Sequence, residues 1–122
     1  MKTAEKQPDV PAYPFAAAPV HGSAVEVTPG LLWMRKPLPP PLSHINTWAI
    51  ADGAGWAAVD TGLQSPETAA AWSEAIAGPL GQRPITRVFG THMHPDHIGM
   101  AGWLTRRFDC RLWMTRLEYL TC

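Results

Sequence analysis

Residues 85–99 read Ile85-Thr86-Arg87-Val88-Phe89-Gly90-Thr91-His92-Met93-His94-Pro95-Asp96-His97-Ile98-Gly99. The first five form a compact strand candidate rich in β-branched and aromatic side chains. Gly90-Thr91 then carries the chain off the strand's C-terminal end into three histidines and an aspartate within six residues. Imidazoles and a carboxylate at this density are poor packing residues, because buried together they need a partner. A shared cation is such a partner. On an extended or turning backbone His92 and His94, two apart, point the same way, while Asp96 and His97 lie around the bend and face a second point nearby. Spacing alone therefore suggests two adjacent metal positions held by His92, His94, Asp96 and His97. Nitrogen and carboxylate donors without a thiolate suit zinc, and iron or manganese are also accommodated. A solvated His-rich loop is the competing reading. It is the weaker one, because the segment leaves a strand and opens a helix, the setting a preorganised site requires.

On the N-terminal side, Ser65-Pro66-Glu67 supplies a helix N-cap, a proline at the first helical position and an acid in the first turn. Ala69, Trp72 and Ile76 follow at helical spacing until Gly78-Pro79. Earlier still, Ala24-Val25-Glu26-Val27 and Leu31-Leu32-Trp33-Met34 flank Thr28-Pro29-Gly30, which reads as a hairpin. A second pair, His44 to Ile50 and Trp56 to Asp60, is joined by Ala51-Asp52-Gly53-Ala54-Gly55, whose glycines accept the backbone a hairpin turn demands. Between the pairs, Lys36-Pro37-Leu38-Pro39-Pro40-Pro41-Leu42 contains a PxxP pattern. It reads as a stiff loop in preference to a polyproline ligand, since prolines remove ladder donors and keep a connection from pairing. On the C-terminal side Met100, Leu104 and Phe108 recur at helical spacing, and Cys110 to Met114 returns as a strand. The order is β-hairpins followed by αβαβ, an α/β chain. Residues 1–22, with Pro8, Pro11, Pro14 and Pro19 among alanines, are expected to be a loosely ordered lead-in to a unit spanning 23–122.

The 122 residues, 46% hydrophobic, allow one core. Ten basic and ten acidic residues cancel, with no basic run, so the electrostatic footprint of a nucleic-acid binder is absent. No apolar stretch serves as a signal-peptide core or membrane span, and the expectation is a cytoplasmic protein without a membrane partner. Cys110 and Cys122 are expected to be reduced thiols, since two cysteines make no disulfide framework.

His92-Met93-His94-Pro95-Asp96-His97 is the HxHxDH signature of the metallo-β-lactamase superfamily, which the sequence resembles over roughly residues 24–122. Val59-Asp60-Thr61-Gly62 is similar to that family's earlier Asp-x-Gly element. The resemblance implies the N-terminal half of an αββα sandwich and a dinuclear site. In it His92 with His94 would hold one metal, Asp96 with His97 would hold the other, and Asp96 would also orient the nucleophile or relay its proton. Asp60 would hydrogen-bond a ligand and fix its orientation, with a plain turn-forming aspartate as the alternative. The family's remaining ligands come from later strands and none appears before Cys122, so the expectation is an N-terminal part carrying half of a site. The implied function is metal-dependent hydrolysis of a small molecule with an ester, thioester, lactone, lactam or phosphodiester bond. An iron-dependent oxidoreductase of the persulfide dioxygenase type is the alternative, then a non-catalytic remnant. A flavodiiron-type reductase is disfavoured by His94, where that branch has glutamate. Oligomeric state is not legible. His44 and His21 lie outside ligand spacing and read as structural, and the six tryptophans read as packing residues.

Three physical expectations follow. The mouth of the site should be built by the Gly90 to Gly99 loop and the loop after Asp60. The isolated chain should leave one face of its sheet bare. Metal binding by the 122 residues alone should be weak, for want of ligands.

Overall fold

The computed structural model describes residues 18–121, so most of the expected lead-in, and Cys122, lie outside the described residues. Strands β1 (Val25–Thr28), β2 (Leu31–Pro37), β3 (His44–Asp52) and β4 (Gly55–Val59) pair as an antiparallel meander. β5 (Ile85–Phe89) and β6 (Arg111–Trp113) then add in parallel, giving one six-stranded sheet in sequence order. Antiparallel neighbours need only short turns, whereas each parallel addition needs a crossover. Helix α1 (Pro66–Ala77) makes the first crossover; the short α2 (Pro95–Ile98) and α3 (Ala101–Phe108) make the second. A last helix, α4 (Arg116–Thr121), follows β6.

Both long helices cover the same face. Leu32, Met34, Ala49, Trp56, Ala58, Ile85 and Val88 of the sheet form one core with Trp72, Ala75 and Ile76 of α1 and Ala101 and Leu104 of α3. A register shift between Trp56 and Ala57 lets Ile85 and Val88, an odd number of residues apart, both face that core. The buried indoles are satisfied: Trp72 Nε1 donates to the Thr61 carbonyl at 2.7 Å and Trp56 Nε1 to the Leu80 carbonyl at 2.9 Å. Lys36 is an unexpected member of this face. It is wholly buried, with its amine 3.2 Å from Thr47 Oγ1 and 4.1 Å from the centre of the Trp72 ring, and burial lowers its pKa to about 7.

Among the described residues, neither α1 nor α3 covers the opposite face. Cα partners run Trp33, Trp48, Val59, Phe89 and Trp113 across five strands, with the first two rings stacked 6.3 Å apart. One α layer on one β sheet is the half of an αββα sandwich that the sequence pattern implied.

Five details differ from expectation. β2 runs on to Pro37, and the β3–β4 turn closes over only Gly53 and Ala54. The histidine segment contains a helical turn of its own, α2, begun by Pro95, whose missing N–H and fixed φ suit a first helical position. β6 has three residues, not five. β6 is followed by α4, a helix outside the expected αβαβ order, whose start is held by Thr115 Oγ1 accepting from Glu118 N at 3.3 Å. That Thr115-x-x-Glu118 pattern was available in the sequence as a helix-start signal.

Candidate metal centre

Because β4 and β5 are parallel neighbours, their C-terminal ends lie side by side, and Asp60 N donates to the Phe89 carbonyl at 2.8 Å. Asp60 is 5% exposed and holds a left-handed φ of 62°, a conformation aspartate tolerates better than most residues. Its carboxylate gathers the histidine loop. Thr91 N donates to Oδ1 at 2.8 Å, Thr91 Oγ1 lies 2.7 Å from Oδ2, and His97 Nδ1 lies 2.9 Å from Oδ2. A carboxylate only accepts, so the Thr91 hydroxyl proton and the His97 Nδ1 proton both point at Asp60. With its single proton so used, Thr91 Oγ1 accepts from His92 Nδ1 at 3.0 Å. Both His92 and His97 thus carry hydrogen on Nδ1 and present a bare Nε2 lone pair, the form a metal requires.

The helical turn α2 is pinned from the other side. The His97 carbonyl accepts from Thr61 N at 2.7 Å and Thr61 Oγ1 at 2.9 Å, and Thr61 Oγ1 accepts from Met100 N at 3.0 Å. Two glycines allow the loops to meet. A Cβ at Gly99 would sit 2.6 Å from Gln64 N and from the Pro95 carbonyl oxygen, and one at Gly62, where φ is +97°, would sit 2.8 Å from Thr68 Cγ2.

The structure therefore brings three imidazoles together. The His92 and His94 rings are 5.0 Å apart and edge-on, and those of His92 and His97 are 4.0 Å apart. Asp96 Oδ2 lies 3.7 Å from His97 Nε2. His92 is thus nearer His97 than His94, and the rings crowd one point where spacing suggested two separate ones; the turn of α2 folds His97 back over His92. The donor set fits a metal in chemistry and, at His92 and His97, in tautomer. As placed, however, no group of three or more His, Cys, Asp or Glu side chains among the described residues is arranged to hold a metal ion.

The site's mouth is formed by the loops after β4 and β5. The proline loop adds a wall that the sequence did not assign: a groove of about 360 Å³ runs along residues 38–42, Leu63 and Pro95 and ends at Asp96. A larger cavity, about 630 Å³, lies between α1 and α3 beside Trp103 and Arg106 and touches none of the histidines. His44 sits apart, with Nδ1 2.7 Å from Ser43 Oγ; burial, then the nearby Arg35 and His21, hold its pKa below the usual histidine value. Cys110 is a free thiol whose pKa burial and Asp109 push up, as an inert structural cysteine requires. Thr91, Thr61 and Glu118, which accepts from Met93 N at 2.8 Å, were not legible as site residues. Thr91, adjacent to the motif, and Thr61, inside the Asp-x-Gly element, had a positional signal.

The profile of the metallo-beta-lactamase superfamily matches residues 40–121. A beta-lactamase domain protein from Burkholderia ambifaria is 43% identical with a TM-score of 0.83, over 89% of this chain and 37% of that one. A metallo-beta-lactamase family protein from Thermus thermophilus is 28% identical with a TM-score of 0.66, over 77% of this chain and 31% of that one. At the level of fold alone, a metallo-beta-lactamase from Pseudomonas aeruginosa in its mono-zinc form matches with 22% identity and a TM-score of 0.62, over 84% of this chain and 45% of that one. The chain spans 37% and 31% of the first two relatives. No curated protein matches it.

Proposed function

The chain belongs to the metallo-beta-lactamase superfamily, and from that we propose that it supplies half of the active site of a zinc-dependent hydrolase. The observation that carries this reading is Asp60, a single carboxylate that turns the Nε2 lone pairs of both His92 and His97 outward. His92 and His94 would hold one metal and Asp96 with His97 the other. A bound zinc supplies Lewis-acid polarisation and an activated water; its choice over iron draws on the donor set and on the relative crystallised in mono-zinc form.

The chain's own residues do the rest. Asp60 and Thr91 orient imidazoles, and Thr61 locks the turn that carries His97. Asp96, with its side chain 32% exposed at the end of the groove, accepts the proton of the attacking water or relays it to the leaving group. The substrate class is a small molecule with an ester, thioester, lactone, lactam or phosphodiester bond, and the leucine- and proline-walled groove suits an apolar substituent next to that bond.

Metal titration with matched hydrolysis assays tests this, on the 122 residues and on a longer polypeptide containing them. The short chain should bind zinc weakly and lack turnover above free metal. In the longer one His92→Ala or His94→Ala should remove a metal, and Asp96→Ala should lower turnover more than folding. Stoichiometric iron with no zinc would move the protein to the oxidoreductases of this fold. Absence of any metal in the longer form would reduce it to a non-catalytic remnant.

A further inference from the structure

Met93 stands between His92 and His94, outside both β5 and α2. Its N–H bonds to Glu118 Oε1 at 2.8 Å, across 25 residues. Glu118 is set in place by its own helix: Thr115 Oγ1 accepts from Glu118 N at 3.3 Å, which makes Glu118 the third residue of a helix capped by Thr115. In the usual capping pair the acid at that position turns back onto the cap's own N–H. Here one carboxylate oxygen reaches the histidine loop. The rest of the approach is fixed by the sheet, since β6 pairs with β5 and Gly90 N donates to the Trp113 carbonyl at 2.9 Å. A continuous path runs from the strand that launches the motif, through β6 and Thr115, back to the peptide between the two histidines.

We propose that Glu118 is a positioning residue, which clamps the His92–Met93 peptide so that His92 and His94 address the same metal position. It rests on the metal reading of these histidines. Side chains two residues apart share a side only while the residue between them stays extended, and Met93 has no strand or helix to keep it so. An ionised acceptor gives the shorter, stronger class of hydrogen bond. The bond lies at the surface, so its effect is mainly geometric: it removes one freedom from the loop on the side that Asp60 and Thr61 do not reach. The motif is then held from two directions, His97 and Thr91 by β4 and Met93 by α4.

Three variants of the chain test the clamp: Glu118→Ala, Glu118→Gln and Thr115→Ala. Exchange of the Met93 amide, followed by NMR without metal, reads the bond itself; a titration with cobalt(II), followed by its visible absorption, reads its consequence. Glu118→Ala should speed Met93 exchange and weaken cobalt binding, each about tenfold, the lower end of what groups that orient metal ligands contribute. Glu118→Gln keeps an acceptor oxygen and should stay within about threefold of the parent in both. Thr115→Ala frays α4 yet leaves the carboxylate, and should disturb Met93 less than Glu118→Ala does. The proposal fails if Glu118→Ala leaves Met93 exchange unchanged, if Gln is as damaging as Ala, or if Thr115→Ala reproduces the loss. Failure of the longer polypeptide to bind cobalt would defeat the metal reading, while Met93 exchange would still decide the clamp.

Discussion

Asp60 and Lys36 are both charged residue types placed where their surroundings dictate what they do. Asp60 collects three donors at once, from Thr91 N, the Thr91 hydroxyl and His97 Nδ1. Asp60→Asn keeps the shape and the left-handed backbone, which asparagine also tolerates, but replaces one accepting oxygen by a donor that faces the His97 and Thr91 protons. Metal affinity should fall about 10–100-fold, with the fold intact by circular dichroism; an affinity equal to the parent's would remove Asp60 from its role. Lys36 has the reverse problem, an amine buried without a carboxylate, and its pKa of about 7 lies well below its ordinary 10.5. The unfolded chain binds more protons at Lys36 than the folded one between those two values, so stability rises as pH climbs through that window and the full penalty applies below it. At about 1.4 kcal/mol per pH unit, unfolding free energies from urea titrations at pH 7 and pH 9 should differ by on the order of 2–3 kcal/mol. Lys36→Met, similar in length and apolar, should be more stable at pH 7 and flat across the window. A parent chain with no gain between pH 7 and pH 9 would show that Lys36 stays charged inside.

Elements matter to the site through their ends. Thr61, just past β4, holds the His97 carbonyl and the Met100 N–H with one hydroxyl; Met100 N keeps the Gly62 carbonyl at 3.2 Å, so Thr61→Val should cost about 0.5–1.5 kcal/mol and loosen metal binding as well. Ser65→Ala, which removes the hydroxyl oxygen that accepts from Thr68 N at 3.1 Å, should cost about 1 kcal/mol with metal affinity unchanged. Equal effects of the two on metal binding would show that global stability, not the β4–α2 contact, governs the loop. The same distinction explains what could be read in advance. β1 to β5 and α1 were legible because their signals are local: period-two apolar residues, turn glycines, and Ser65-Pro66-Glu67 ahead of Trp72 and Ile76. The ligand segment was legible because four chemically matched residues fall within six positions. Lys36 was missed although strand alternation with Leu32 and Met34 puts it on the inner face, because lysines are usually exposed. The tautomers of His92 and His97 were out of reach, since they depend on a carboxylate more than 30 residues away that only the β4–β5 pairing brings near. The groove along residues 38–42 was missed for the same reason: nothing local ties Leu38 to Pro95.

At the scale of the whole molecule, among the described residues, the sheet has one face covered by α1 and α3 and one face that they do not cover. On the covered face α1 and α3 bury the core. On the other, Trp33, Trp48, Val59, Phe89 and Trp113 stand in register across five strands, and Trp113 remains 50% exposed. The other four are only partly exposed, and a contiguous apolar row of this kind marks an interaction face. It is the face on which the second sheet of an αββα sandwich packs, and β1 and β6 leave open edges beside it that offer a template for further pairing. Studied alone, the 122 residues should therefore bind hydrophobic dyes in the folded state and self-associate with rising concentration. Trp48→Glu combined with Phe89→Glu, which places charge on the open face and leaves the helix-covered core untouched, should lower dye fluorescence several-fold and restore a monomer by light scattering. The helical circular dichroism should change little, because α1 and α3 pack on the opposite side. A parent chain that is already monomeric, dye-negative and cooperative in unfolding would mean that the row is shielded within the chain itself, and that the open face does not govern its behaviour.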